Sequence, residues 1–118
     1  MPEPVVYVDR FQIRDGKLER FREYASEMAK LVEAEEPDAV SYNYYVDEEG
    51  MRGTAIFIFA NAEALDAHIE LMSSKWQEGV ELLGATEIEL LGQPSEQAAA
   101  MARSFGGHVK NKLAGFSR

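Results

Sequence analysis

Residues 39–60 read AVSYNYYVDEEGMRGTAIFIFA. In the first half Val40, Tyr42, Tyr44 and Val46 alternate with Ser41, Asn43, Tyr45 and Asp47. Successive strand side chains point to opposite faces, so this pattern reads as a half-buried strand over 39–47. Residues 51–60 return as a second β-rich run. Between them Glu48-Glu49-Gly50 is a turn, with the glycine expected at positive φ. The stretch is therefore a β-hairpin, and its position in mid-chain constrains what flanks it.

Upstream, Pro37-Asp38 ends a helical pattern over 17–35, because the residue before a proline is driven out of the helical region. Leu18, Phe21, Ala25, Met28, Ala29 and Val32 form its apolar stripe, with Glu and Arg outside. Asp15 is the expected N-cap. Before it, residues 5–14 (VVYVDRFQIR) alternate again. Val5, Tyr7, Asp9, Phe11 and Ile13 read as the face covered by helices. Val6, Val8, Arg10, Gln12 and Arg14 face the other way and shift from apolar to polar, as suits a face partly covered by a second subunit.

Downstream, Asn61 is a cap for a second helix, with Glu63 in the first turn where the helix dipole favours an acid. Leu65, Ile69, Met72, Trp76, Val80 and Leu83 continue its stripe, interrupted at Ser73-Ser74. Residues 85–91 form a last strand and Gln93-Pro94 closes the domain. The order is β-α-β-β-α-β, a ferredoxin-like α+β sandwich with an antiparallel sheet and both helices on one face. Two helices cannot cover both faces. The simplest solution is a homodimer packed sheet to sheet.

Residues 1–94 form this domain and residues 95–118 a basic C-terminal tail. The tail opens on the cap Ser95 and an alanine-rich helix through Arg103. It holds one acid, Glu96, against Arg103, Lys110, Lys112 and Arg118. It reads as a structural arm.

The 118 residues suffice for one domain, and 46% hydrophobic with 28% charged residues is a globular balance. The net charge of −9 disfavours nucleic acid. No apolar run is long enough to span a membrane, and Met1-Pro2-Glu3-Pro4 does not open a signal peptide. Cytoplasmic residence is the expectation. Cysteine is absent, which removes disulfides, thiolate nucleophiles and Cys-based metal sites. Two histidines, His68 and His108, are too few for a His-rich metal site.

The segment from Phe57 to His68 (FIFANAEALDAH) is similar to the strand–cap–Glu-Ala-Leu-x-x-His signature of the antibiotic biosynthesis monooxygenase superfamily. Asp15-Gly16-Lys17-Leu18-Glu19-Arg20-Phe21 resembles the opening of that family's first helix. Glu36 to Tyr42 resembles its entry to the second strand, with Asp38 where Gly is usual. The likeness covers about residues 5–92. It implies a dimeric α+β barrel, a pocket between sheet and helices, and monooxygenase chemistry with O₂ and no cofactor, neither metal nor flavin. Two positions depart from the family. Phe57 stands where a strand Glu is frequent, and Ser74-Lys75-Trp76 replaces a stretch holding a second histidine.

Within that frame His68 is the candidate base for a phenol or quinol proton. Asp9 interrupts an apolar face, and burying a carboxylate is costly unless it is paired. Its partner is His68 across the pocket, or an arginine such as Arg10 or Arg22, or solvent at an edge. Tyr7, Phe11, Tyr42, Tyr44, Phe57 and Trp76 are candidates to line a pocket for a planar ligand, or are simply core. Glu33, Glu35, Glu36 and Asp38 read as a solvated helix end. The activity expected is oxidation of a small aromatic or quinol substrate. The alternative is a non-catalytic small-ligand-binding or stress-related dimer on the same scaffold.

Overall fold

A computed structural model describes residues 3–49 and 51–118. Its elements are β1 (Val5–Ile13), α1 (Leu18–Glu35), β2 (Ala39–Asp47), β3 (Arg52–Phe59), α2 (Ala62–Met72), α3 (Trp76–Leu82), β4 (Leu83–Leu91), α4 (Glu96–Ser104) and β5 (His108–Lys110). One sheet runs in the order β2-β3-β1-β4-β5. The first four strands pair antiparallel, as the β-α-β-β-α-β order requires. The fifth joins β4 in parallel, so the sheet is mixed. The fold is ferredoxin-like α+β with one strand added.

That fifth strand departs from the expected arm. The tail is helical only over α4; the chain then returns through Gly106 (φ 72°) and Gly107 to lie beside β4. A Cβ on Gly107 would stand 1.8 Å from the Ile88 carbonyl oxygen, so no other residue allows this approach without moving backbone. Ser95 caps α4, accepting from the Ala98 amide at 3.1 Å while donating to Asp66 of α2 at 2.7 Å. The same hydroxyl starts the helix and fastens it to its neighbour.

The other ends follow local chemistry. Asn61 accepts from the Ala64 amide at 2.8 Å and opens α2 as expected. The stripe of the second helix breaks at residues 73–75, giving separate helices α2 and α3. Asp15 is not the cap of α1. Gly16 (φ 75°) makes a tight turn in which the Lys17 amide donates to the Arg14 carbonyl, and Lys17 takes the cap position with no side-chain bond. The positive φ expected at Gly50 lies outside the described residues; the neighbouring Met51 has φ 55°.

The core lies between the sheet and the helices. Phe21, Met28 and Val32 of α1, Leu65 of α2 and Leu82 of α3 meet Val5, Phe11, Ile13, Phe57, Phe59 and Leu90 of the sheet, all buried. Each such side chain contributes about 1.5–3 kcal/mol on burial. Tyr24 joins the α1 stripe although it lies outside the expected set. Val40 does not join the core. An irregularity between Ala39 and Ser41 shifts the β2 register, turns Ala39 inward and leaves Val40 66% exposed. No helix is long and apolar enough to cross a membrane among the described residues.

Candidate functional site

The helices do not fill the space over the sheet. A cavity of about 450 Å³ remains, of the size that holds a small organic ligand. Its floor is built by strand register. Tyr42 of β2, Phe57 of β3 and Tyr7 of β1 lie side by side, since Tyr42 pairs with Phe57 and Phe57 with Tyr7. Their rings stack, with centroids 3.7 Å apart for Tyr42–Phe57 and 5.3 Å for Tyr7–Phe57. The next row along is Tyr44, Ala55, Asp9 and Ile88. Ala55 beside Asp9 leaves room above the carboxyl. Phe11 lies over Gly53, whose missing side chain admits the ring.

All the residues singled out in the sequence border this cavity: His68, Asp9, Tyr7, Phe11, Tyr42, Tyr44, Phe57 and Trp76. Asp9 and His68, however, are not each other's partner. Asp9 accepts a very short hydrogen bond from the Thr86 hydroxyl of β4. No arginine pairs with it: Arg10 reaches Glu89, and Arg22 reaches Glu19 and Glu48. Burial raises the Asp9 pKa from 3.8 to about 6, and the Thr86 bond holds it back in part.

His68 sits in the second turn of α2, placed by the Asn61 cap. The residue is 4% exposed and its ring lies among Phe59, Tyr42 and Phe57, at centroid distances of 5.0, 5.4 and 5.8 Å. The partner of Nδ1 is Glu36, at 2.8 Å from Oε2. With Nδ1 engaged, Nε2 is the ring nitrogen left for a ligand. Burial lowers the His68 pKa, and the Glu36 bond and charge oppose that lowering.

Glu36 therefore corrects the reading of its acidic run. Its side chain is 8% exposed and Oε1 has no hydrogen-bond partner. The cause is local. Pro37 forces Glu36 out of the helix, to φ −124° and ψ 83°. A turn follows in which Ala39 donates to the Glu36 carbonyl, and Asp38 accepts from Ala60 just before the Asn61 cap. That turn folds the Glu36 side chain under α2, while Glu33, Glu35 and Asp38 stay exposed. The Glu-Pro pair next to a strand was the available signal, hidden among like charges.

The tyrosines add hydroxyls to a largely aromatic chamber. Tyr42 and Tyr44 bond to each other at 3.0 Å. Burial pushes the phenols of Tyr7, Tyr42 and Tyr44 well above their ordinary range, so they act as donors and never as phenolates. Tyr24 is shifted the same way, by burial and then by the charge of Asp9. Its hydroxyl rests against Gly79 of α3, where a Cβ would meet it at 2.8 Å.

Trp76 stands at the cavity's edge, 45% exposed and edge-on to Phe105 at 5.5 Å. Phe105 and Met101 come from the tail, so α4 helps to enclose the cavity and is more than an arm. Their i, i+4 spacing on the helix Ser95 opens could have shown this. Among the described residues no cluster of His, Asp or Glu is arranged to hold a metal ion.

No family model and no curated protein sequence matches the chain. Solved structures do. MupZ from Pseudomonas fluorescens superposes with a TM-score of 0.84 at 19% identity, over 98% of this chain and 95% of that one. A candidate antibiotic biosynthesis monooxygenase from Caulobacter crescentus gives 0.70 at 19% identity, over 80% and 92%. SnoaB, a cofactor-independent oxygenase from Streptomyces nogalater, gives 0.66 at 16% identity, over 79% and 95%. The MupZ match extends through the tail. The chain thus has the ferredoxin-like fold of the antibiotic biosynthesis monooxygenase-type proteins, as the resemblance in its sequence implied.

Proposed function

We propose that this cavity is the active site of a cofactor-independent monooxygenase-like enzyme acting on a small phenolic or quinol ring. One observation carries the reading: a buried histidine faces an aromatic chamber and is held through Nδ1 by a buried carboxylate. Such a pair is the arrangement of a general base with its orienting acid. His68 Nε2 accepts the proton of the substrate hydroxyl. Glu36 fixes the tautomer and stabilises the imidazolium that results. The stacked Phe57, Tyr42 and Tyr7 match a planar ring, and the tyrosine hydroxyls donate to its oxygens.

The phenolate formed is rich enough in electrons to react with O₂. The substrate itself supplies all four electrons that O₂ takes up. A phenol gives a quinone: one oxygen atom enters the ring, two hydrogens leave, and the second oxygen departs with them as water. The chain's part is to bind the ring, take the proton and keep the anion out of bulk water.

Oxygen uptake with a panel of phenols and quinols tests the reading. His68→Ala is expected to lower kcat by about 10²–10⁴-fold. Glu36→Gln is expected to lose less, with the chain still folded. Equal rates in wild type and His68→Ala remove the base. Ligand binding without oxygen uptake from any panel member returns the chain to the non-catalytic binding class.

A further inference from the structure

We infer that the ligand of this cavity carries a carboxylate at its outer end and that Arg14 receives it. The inference takes the cavity to be the ligand site described above but does not require the oxidation. Among the charged side chains on the cavity wall, Arg14 is the one arginine, and no lysine borders it. Expected on the opposite face with Arg10 and Gln12, it instead lies just past the end of β1, where the strand alternation no longer holds, and borders the cavity beside Leu83 and Gly84, at the end remote from Tyr7.

Arg14 is held in place without being neutralised. Its amide donates to the Leu82 carbonyl at 3.0 Å and its side-chain Nε donates to the Leu83 carbonyl at 2.6 Å. Among the described residues it has no acidic partner. Arg10, Arg20 and Arg22 each do, in Glu89, in Glu23, Glu27 and Glu78, and in Glu19 and Glu48. Arg52, Arg103 and Arg118 also have no ion pair among the described residues, but none of them borders the cavity; Arg14 is the one unpaired arginine on its wall. With Nε used by the backbone, the terminal nitrogens remain, and they present the paired donors that suit a carboxylate.

The depth of the cavity fixes the ligand's shape. Asp9 and Arg14 stand five positions apart along β1, or roughly 15 Å at the rise of a strand. The wall between them is Phe11, with Trp76 and Val80 across from it. A ligand with its ring near Asp9 and His68 reaches Arg14 only through an apolar stretch of about ten atoms. The fitting class is an aryl alkanoate: hydroxylated ring, apolar middle, terminal carboxylate.

Trp76 is the single tryptophan and lines the cavity, so its fluorescence reports binding. The probes are 8-(4-hydroxyphenyl)octanoate, its methyl ester, and the phosphonate of equal length, each titrated at pH 7.5. The acid is expected to bind the native chain more tightly than the ester by up to about fivefold, the advantage of one exposed ion pair. Arg14→Gln should bring that ratio to about one and leave ester affinity unchanged; Arg14→Lys should keep part of it. A ratio that survives Arg14→Gln overturns the inference, as does an acid that fails to bind the native chain. A phosphonate preferred over the acid overturns the choice of carboxylate. None of these outcomes depends on oxygen uptake. An Arg14-dependent ratio with an inert His68 would leave this inference standing and remove the activity.

Discussion

Asp9 and His68 are displaced in opposite directions by the same loss of water. Burial raises the acid to about 6 and lowers the base. Both shifts favour neutral forms, and each costs stability on its own side of the pH scale. The unfolded Asp9 ionises near 3.8 and the folded one near 6, so the folded state loses ground as pH rises through that window. The full cost is present above it and amounts to about 3 kcal/mol. Asp9→Asn keeps an acceptor for Thr86 and removes the charge. It is expected to stabilise the chain by about 2 kcal/mol at pH 7.5 and negligibly at pH 4, in urea melts at the two values. His68 works the other way: the unfolded imidazole takes its proton at higher pH than the folded one, so stability falls as pH drops below 6.5. Asp9 was legible because an acid breaks an apolar alternation. Glu36 was not, because it is one acid among four and only the turn after Pro37 separates it from them.

At the level of elements, periodicity placed the four antiparallel strands and the two helices of the domain, the second interrupted at Ser73-Ser74, where the structure divides it into α2 and α3. Each of those rests on contacts within a few residues. The fifth strand was missed because nothing in His108-Val109-Lys110 marks it; three residues have no measurable alternation. What holds it is distant: the Lys110 carbonyl accepts from Gly92, and Lys110 Nζ lies 2.6 Å from Glu89. Gly107 makes that docking possible. Gly107→Ala places a methyl group against the Ile88 carbonyl, which belongs to the sheet and cannot yield. The expected result is release of β5 with α4 loosened, seen as faster amide exchange across residues 95–110 while β1 and β3 stay protected. A cost of about 2 kcal/mol or more accompanies it.

Across the whole molecule, all four helices lie on the cavity side, for Phe21, His68, Trp76 and Met101 each border it. The opposite face of the sheet carries Val6, Val8, Ile56, Ile58 and Leu91, with Tyr45 56% exposed near its edge. Its one buried acid, Glu89, is neutralised by Lys110 and Arg10, and its pKa is lowered by the Lys110 bond first. An apolar face with its charge paired off is suited to a second copy. Light scattering is expected to give twice the 13.2 kDa of one chain, and Ile56→Glu to halve that value. A native chain that already weighs 13.2 kDa in solution would mean the face stays wet.

The strand order also leaves β2 as a rim, with Val40 and Tyr45 exposed along it. Rims of this kind offer unpaired amides and carbonyls to any passing strand and are where fibrils begin. Asp47, Glu48 and Glu49 are exposed at the end of β2, Glu48 paired with Arg22, so an approaching copy meets an acidic corner there. Glu49→Val, which removes a guarding charge from that end, is accordingly expected to quicken filament formation, followed by thioflavin fluorescence.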